Sequence, residues 1–173
     1  MREGATSEQL HAIIAWQHFY RAVTTINPKK AVENVALLHA LLHDLRSPSA
    51  PDVTVYMGHD GNLDGLAALL NLSWAATPYI GGSDLSPTPP GSALHFLLEA
   101  TGELKLRFLY PVYTAVGSHS AAMLNRSGIL EAQPVENWPP SHASLDNLEA
   151  RVEGGLNAYA DAGRCYRQLF GEP

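Results

Sequence analysis

The segment best equipped for chemistry is Gly58-His59-Asp60-Gly61-Asn62. It follows Val53-Thr54-Val55-Tyr56-Met57, a short β-branched and aromatic run that reads as a buried strand. It precedes an apolar run from Leu63 to Leu72 that reads as a helix. Strand, polar turn and helix form the unit of α/β sheets, and ligand sites lie at the carboxyl ends of such strands. A His and an Asp placed there are costly unless a ligand or a hydrogen bond satisfies them. The N-terminus of the helix would turn its N–H groups toward the same place, which favours an anion. His59 as a cation or donor, Asp60 as an acid and the helix end together suit a phosphate group. The same residues also suit an Asx-type turn with a helix cap and a hydrogen-bonded His59. Spacing alone leaves both readings open.

Other polar residues offer less. His39 and His43 are four apart on a predicted helix, which is zinc-ligand spacing. No Glu sits beside them as in His-Glu-x-x-His and Cys165 is remote, so a packed or solvated helix pair is the better reading. No metal and no cofactor is expected. His18 and His95 read as structural residues. No Gly-x-Ser-x-Gly elbow occurs, which leaves a serine hydrolase without support. Cys165 is the single cysteine, so the chain forms no internal disulfide.

The elements that must position these residues follow from periodicity and punctuation. Thr6 and Gln9 have capping-box spacing ahead of a helix over about 7–22, with Leu10, Ile13, Ile14 and either Trp16 or Phe19 facing inward. Asn27-Pro28 opens a second helix. Val32, Val35, Leu38, Leu42 and Leu45 continue it to a stop before Ser47-Pro48. The stretch 75–91 is rich in Pro, Gly and Ser and reads as a long loop. Residues 92–99 and 103–113 read as strands joined by a hairpin at Thr101-Gly102. Residues 117–140 read as irregular, broken by Pro134, Pro139 and Pro140. Leu145, Leu148, Val152, Leu156, Tyr159 and Tyr166 suggest one final helix, weakened by Gly154-Gly155.

Composition bounds the function. The net charge is -6 with no Lys/Arg cluster, which argues against a nucleic-acid partner. No apolar run reaches the length of a membrane span, so no membrane partner is expected. Residues 1–9 are polar and lack the apolar stretch of a signal peptide, and the compartment stays open. At 173 residues the chain reads as a single domain with no clear internal boundary.

Gly58-His59-Asp60-Gly61-Asn62 resembles the Gly-His-Asp-x-Asn motif of histidine acid phosphatases, especially their phytase and glucose-1-phosphatase branch. The likeness continues in order. Residues 66–74, ending Leu72-Ser73-Trp74, resemble the helix that follows that motif. Pro89-Pro90-Gly91-Ser92-Ala93-Leu94-His95-Phe96 resembles the family's Pro-Pro-Gly-x-x-Leu-x-Phe entry into the next strand. Trp16, His18, Phe19 and Tyr20 resemble the segment ahead of the motif strand. The likeness is good over about 19–113 and loose beyond.

This resemblance implies an α/β fold, the C-terminal portion of a histidine-phosphatase-type mixed sheet flanked by helices. It implies a phosphomonoester hydrolase of the acid phosphatase or phytase type, with a phosphorylated small molecule as substrate. His59 would bind a phosphate oxygen, Asp60 would give its proton to the leaving alcohol, and Gly61 and Asn62 would line the substrate. Proton donation suits an alkoxide, a poor leaving group, and cationic donors suit phosphoryl charge. Two departures stand out. Position 61 is Gly, where many members carry a hydroxyl or amide. No Arg-His-Gly, the nucleophile motif of such enzymes, occurs in the chain. Its one echo is Leu42-His43-Asp44-Leu45-Arg46-Ser47-Pro48, at a predicted helix end rather than after a strand. The chain is therefore expected to form part of a larger domain and to be inactive alone. It is expected to take an N-terminal half as partner or to self-associate, since Val53–Met57 and 92–113 would lack their cover. The alternative is a non-catalytic truncated paralogue that binds a phosphorylated ligand or a protein. Full-length members of the family are commonly secreted or periplasmic.

Overall fold

Pro28 suits a first helical position, where its missing N–H costs nothing, and in the computed structural model helix α1 begins there (Pro28–Glu33). The structure describes residues 28–74, 88–89, 91–114, 125–138 and 143–172, with isolated positions at 6, 9, 12, 15–16 and 19–20. Helix α2 follows as Val35–Arg46. The single helix expected from 28 onward is broken at Asn34. There the Asn34 side chain donates to the Lys30 carbonyl at 2.8 Å. Such local side-chain bonds compete with the helical ladder, and Asn favours them. Val35, Leu38, Leu41 and Leu42 form the buried stripe of α2. The helix stops at Ser47, whose N–H closes on the His43 carbonyl at 3.0 Å, ahead of Pro48.

Helix α3 spans Asp60–Leu70 and ends on Asn71 in the left-handed conformation (φ 49°). It starts three residues earlier than the apolar run suggested. Arg151 holds its far end, donating to the carbonyls of Leu70 (3.2 Å) and Asn71 (3.1 Å) while lying over the Trp138 ring. A cation on helix-terminal carbonyls is favourable both as a donor and against the dipole.

Among the described residues three antiparallel strands follow: β1 (Ala93–Leu98), β2 (Leu104–Thr114) and β3 (Asn125–Pro134), in the order β1-β2-β3. The hairpin expected at Thr101-Gly102 is present, with Glu99 N–H bonded to the Glu103 carbonyl at 2.8 Å and Gly102 at φ +84°. Leu104, Leu106, Phe108 and Tyr110 alternate along β2 and are all buried, so one sheet face meets the core. Pro111 lies past the reach of β1, beside a register shift against β3, where a missing ladder donor is tolerated. Strand β3 corrects the irregular reading of 117–140. Its residues are poor strand formers, and pairing with β2 supplies what local propensity does not.

Helix α4 (Leu145–Ala158) opens on a capping box between Ser144 and Asn147. It runs unbroken through Gly154-Gly155, turns at Tyr159 and continues as α5 (Ala160–Phe170). The one final helix expected is therefore two. Helix α1 packs on α3 and α5, α2 on α5, and α3 and α5 on α4. One core cluster joins these helices to Leu104, Leu106, Val135 and Trp138 of the sheet side. Trp74 stacks on Phe108 (centroids 4.5 Å apart) in a second cluster with Tyr110. The chain is thus an α/β protein, and its described sheet is wholly antiparallel rather than mixed.

The expected interior strand Val53–Met57 is a correction. The segment belongs to no sheet, and Val53, Val55 and Met57 are 76%, 73% and 91% exposed. Among the described residues its β propensity has no neighbouring strand to act on, and a lone strand gains nothing from it. The Thr6–Gln9 capping box is present, and the described positions from 9 to 20 are helical. Trp16 and Phe19 are 69% and 60% exposed there, not inward-facing. Leu10, Ile13, Ile14, His18 and most of the 75–91 loop lie outside the described residues.

Candidate functional site

His59 is the N-cap of α3, and Asp60 is its first residue. The His59 backbone is extended (φ -112°, ψ 170°), as a cap requires. Its N–H donates to Asn62 Oδ1 at 2.9 Å, while the Asn62 N–H returns to the His59 carbonyl at 2.9 Å. The imidazole makes no cap bond, and both His59 and Asp60 are exposed. Asp60 Oδ1 accepts the Gly61 N–H at 2.8 Å, a carboxylate on an orphan helix donor. The two side chains are thus adjacent at a helix N-terminus.

Asn62 fixes this arrangement from below. Its Nδ2 donates to Asn34 Oδ1 at 2.9 Å, and Asn34 Nδ2 reaches the Lys30 carbonyl. Asn34 is buried at 1% exposure, so this amide pair is a satisfied polar contact within the α1–α3 packing. Two glycines make room for it. A Cβ on Gly58 would stand 2.6 Å from Asn62 Oδ1, and one on Gly65 would stand 2.6 Å from Asn34 Cγ. Asn34, Gly58 and Gly65 are positioning residues that the motif alone did not reveal. The available signal was Asn34 itself, a poor helix former inside an apolar helical repeat.

Comparison of the chain with protein-family models, with curated proteins and with solved structures finds no match. The site therefore rests on its own geometry. His43, the centre of the nucleophile-motif echo, lies in the last turn of α2 and is 70% exposed in its side chain. It lines a shallow cavity of about 240 Å³ with His39, Arg46 and Ser47, and none of His59, Asp60, Gly61 or Asn62 lines it. His39 stacks on Phe170 with centroids 4.0 Å apart, and its Nδ1 is 3.3 Å from the Tyr166 hydroxyl. Of the pair expected to be packed or solvated, His39 is packed and His43 is solvent-exposed. Among the described residues no group of three or more His, Cys, Asp or Glu could hold a metal. Nor, among them, is any helix long and apolar enough to cross a membrane. Cys165 is half-buried on α5, and His95 is half-buried on β1 opposite Arg107.

The segment leading into His59 is tied to α2 by Asp44. Tyr56 donates its hydroxyl to Asp44 Oδ2 at 2.7 Å. Burial, then this bond, pushes the phenol up to about 12. The Asp44 carboxyl is held below its ordinary 3.8, first by Tyr56 and then by His43. The depressed Asp44 pKa stabilises the tether above pH 3.8 and is lost as pH falls through its folded value. The raised Tyr56 pKa contributes below pH 10.0 and is lost as pH rises toward 12. In a phenolate absorbance titration, one tyrosine is therefore expected to ionise near 12. Asp44→Asn should bring it partway back toward 10.0, and Tyr56→Phe should remove that late step.

Proposed function

We propose that this chain is the C-terminal part of a phosphomonoester hydrolase of the histidine acid phosphatase type. His59 is the phosphate ligand and Asp60 the proton donor to the leaving alcohol. The observation that carries the reading is the adjacency of these two exposed side chains at the start of α3, the end of a helix that favours anions. The resemblance of 58–62, 66–74 and 89–96 to that family supplies the chemistry. Gly61 lacks a side chain, so substrate contact at that position would come from backbone. Asn62 uses Oδ1 on His59 and one Nδ2 hydrogen on Asn34, which leaves its second Nδ2 hydrogen for a phosphate oxygen. The finer fold under this reading is part of a larger histidine-phosphatase sheet, to which Val53–Met57 would contribute a strand.

A second reading, a non-catalytic paralogue that binds a phosphorylated ligand or a protein, is favoured by one observation. The 58–62 loop already satisfies itself, with the Gly61 N–H on Asp60 and the His59 N–H on Asn62. Sequencing upstream of residue 1 separates the two. An open frame encoding Arg-His-Gly-x-Arg-x-Pro is the expected result for the hydrolase. An in-frame stop would remove that reading and leave the binding protein.

A further inference from the structure

The chain holds two Asp-Gly pairs, Asp60-Gly61 and Asp64-Gly65, and both lie in α3. In such a pair the backbone nitrogen of the glycine can attack the carboxyl carbon of the aspartate, since no Cβ shields it. The fold treats the two pairs oppositely. Asp60 is exposed and is the first residue of the helix. Gly61 lies in the first turn, where an N–H has no carbonyl to bond within the helix. It donates instead to Asp60 Oδ1 at 2.8 Å. The carbon to be attacked is one bond beyond that oxygen, so the two reacting groups are already in contact. A Cβ at Gly61 would meet nothing within 4 Å, which leaves this peptide room to move. Asp64, by contrast, is 8% exposed. The Gly65 N–H lies a turn further in, where the helical ladder takes it up. Gly65 is also held tightly, since a Cβ there would stand 2.6 Å from Asn34 Cγ.

We propose that Asp60 is a site of spontaneous isomerisation to isoaspartate, from which the fold protects Asp64. The Gly61 nitrogen forms a bond to Asp60 Cγ. The neutral carboxyl loses its OH together with the amide proton as one water, which leaves a five-membered succinimide. Water then adds to one of the two ring carbonyls, and that carbon's bond to nitrogen breaks. Opening at Cγ restores aspartate. Opening at the main-chain carbonyl of residue 60 routes the chain through Cγ and leaves the carboxylate on Cα. Nothing is oxidised or reduced, and the mass is unchanged once water has been returned. The product carries an extra carbon in the backbone at the start of α3. There the His59 N–H must reach Asn62 Oδ1 at 2.9 Å, and that contact would be displaced together with the acid. The modification stands whatever the site does. It also fits the hydrolase reading, in which a proton donor stays open to solvent and substrate and would be lost as the protein ages.

The test is to age the 173-residue chain under native conditions, denature it and digest it with a protease that cuts ahead of aspartate but not ahead of isoaspartate. Cleavage ahead of residue 60 should decline with time, while cleavage ahead of residue 64 persists. The two rates should differ by at least about tenfold, because each 1.4 kcal/mol of local opening needed to free the Gly65 amide is a factor of ten. Ageing in urea should bring the two rates together, since the dipeptides are the same and only the fold separates them. Gly61→Ala should slow the loss at residue 60 by about tenfold, because a Cβ shields the nitrogen and restricts the backbone. That variant should keep the parent's melting profile, as the added Cβ meets nothing. Equal loss at 60 and 64 in the native chain would overturn the proposal. So would a native chain that keeps residue 60 intact while the urea-treated chain loses both, or a difference that survives in urea and so belongs to the sequence rather than the fold.

Discussion

Alanine at Gly155 is expected to cost about 4 kcal/mol or more, whereas alanine at the adjacent Gly154 is expected to stabilise by about 0.5–1 kcal/mol. Both glycines lie inside α4, and helix propensity alone would make both substitutions favourable. Packing separates them. A Cβ at Gly154 meets nothing within 4 Å. A Cβ at Gly155 would overlap the Leu69 carbonyl oxygen and stand 2.6 Å from the Leu69 carbon. Those atoms are backbone of α3, so no rotamer change relieves the clash and the two helices must separate. Leu69, Leu70, Leu148, Val152 and Leu156 are essentially fully buried around this crossing, and separation would loosen all of them. A domain of this kind is stable by only about 5–15 kcal/mol, so the loss is a large part of the total. Urea melts of the two single variants and the parent would read it directly. Equal shifts for Gly154→Ala and Gly155→Ala would mean that α3 and α4 do not cross here as described.

The glycine pair also shows why the fold was only partly legible in the sequence. Gly154-Gly155 reads locally as a weak point in a helix. Its meaning is a close approach of two helices, and no local pattern carries the identity of a contacting residue some 85 positions away. The β1–β2 hairpin, by contrast, was legible because strand alternation and a left-handed Gly102 are local signals. The buried stripe of α2 was legible for the same reason. Strand β3 was not, since it draws its order from β2 rather than from its own residues.

Val53–Met57 fails in the opposite direction. Its residues are among the strongest strand formers in the chain, yet a strand is a relation between two segments. All five of its residues are exposed and none is in a strand. What the sequence could not supply is the second segment. The candidate site was legible as a juxtaposition, because His59 and Asp60 are adjacent and helix starts attract such residues. Its support was not legible: Asn34 reaches Asn62 from 28 residues away, through a break in a helix that periodicity drew as continuous.

If the proposed hydrolase reading holds and an upstream Arg-His-Gly segment completes the enzyme, Asp60→Asn is expected to slow alkyl phosphate hydrolysis by about 10²–10⁴-fold. The same variant should slow an activated aryl phosphate less than about tenfold, since a good leaving group needs little protonation. His59→Ala should slow both substrates by about 10²–10³-fold, because phosphoryl charge loses a donor in the transition state. The structure makes these variants readable as chemistry rather than unfolding. Asparagine keeps an oxygen for the Gly61 N–H that Asp60 now accepts, at a loss of about 0.3–1 kcal/mol of helix-end charge. The His59 contribution to the loop is its backbone N–H to Asn62, which alanine retains. The 173-residue chain alone should stay near background on either substrate, because neither residue replaces the covalent step of an Arg-His-Gly nucleophile, which the chain does not contain. An equal loss on both substrates in Asp60→Asn would remove it as the acid. Robust turnover by the chain alone that vanishes in His59→Ala would sink the incomplete-enzyme reading and turn attention to His43 or His18 as a nucleophile.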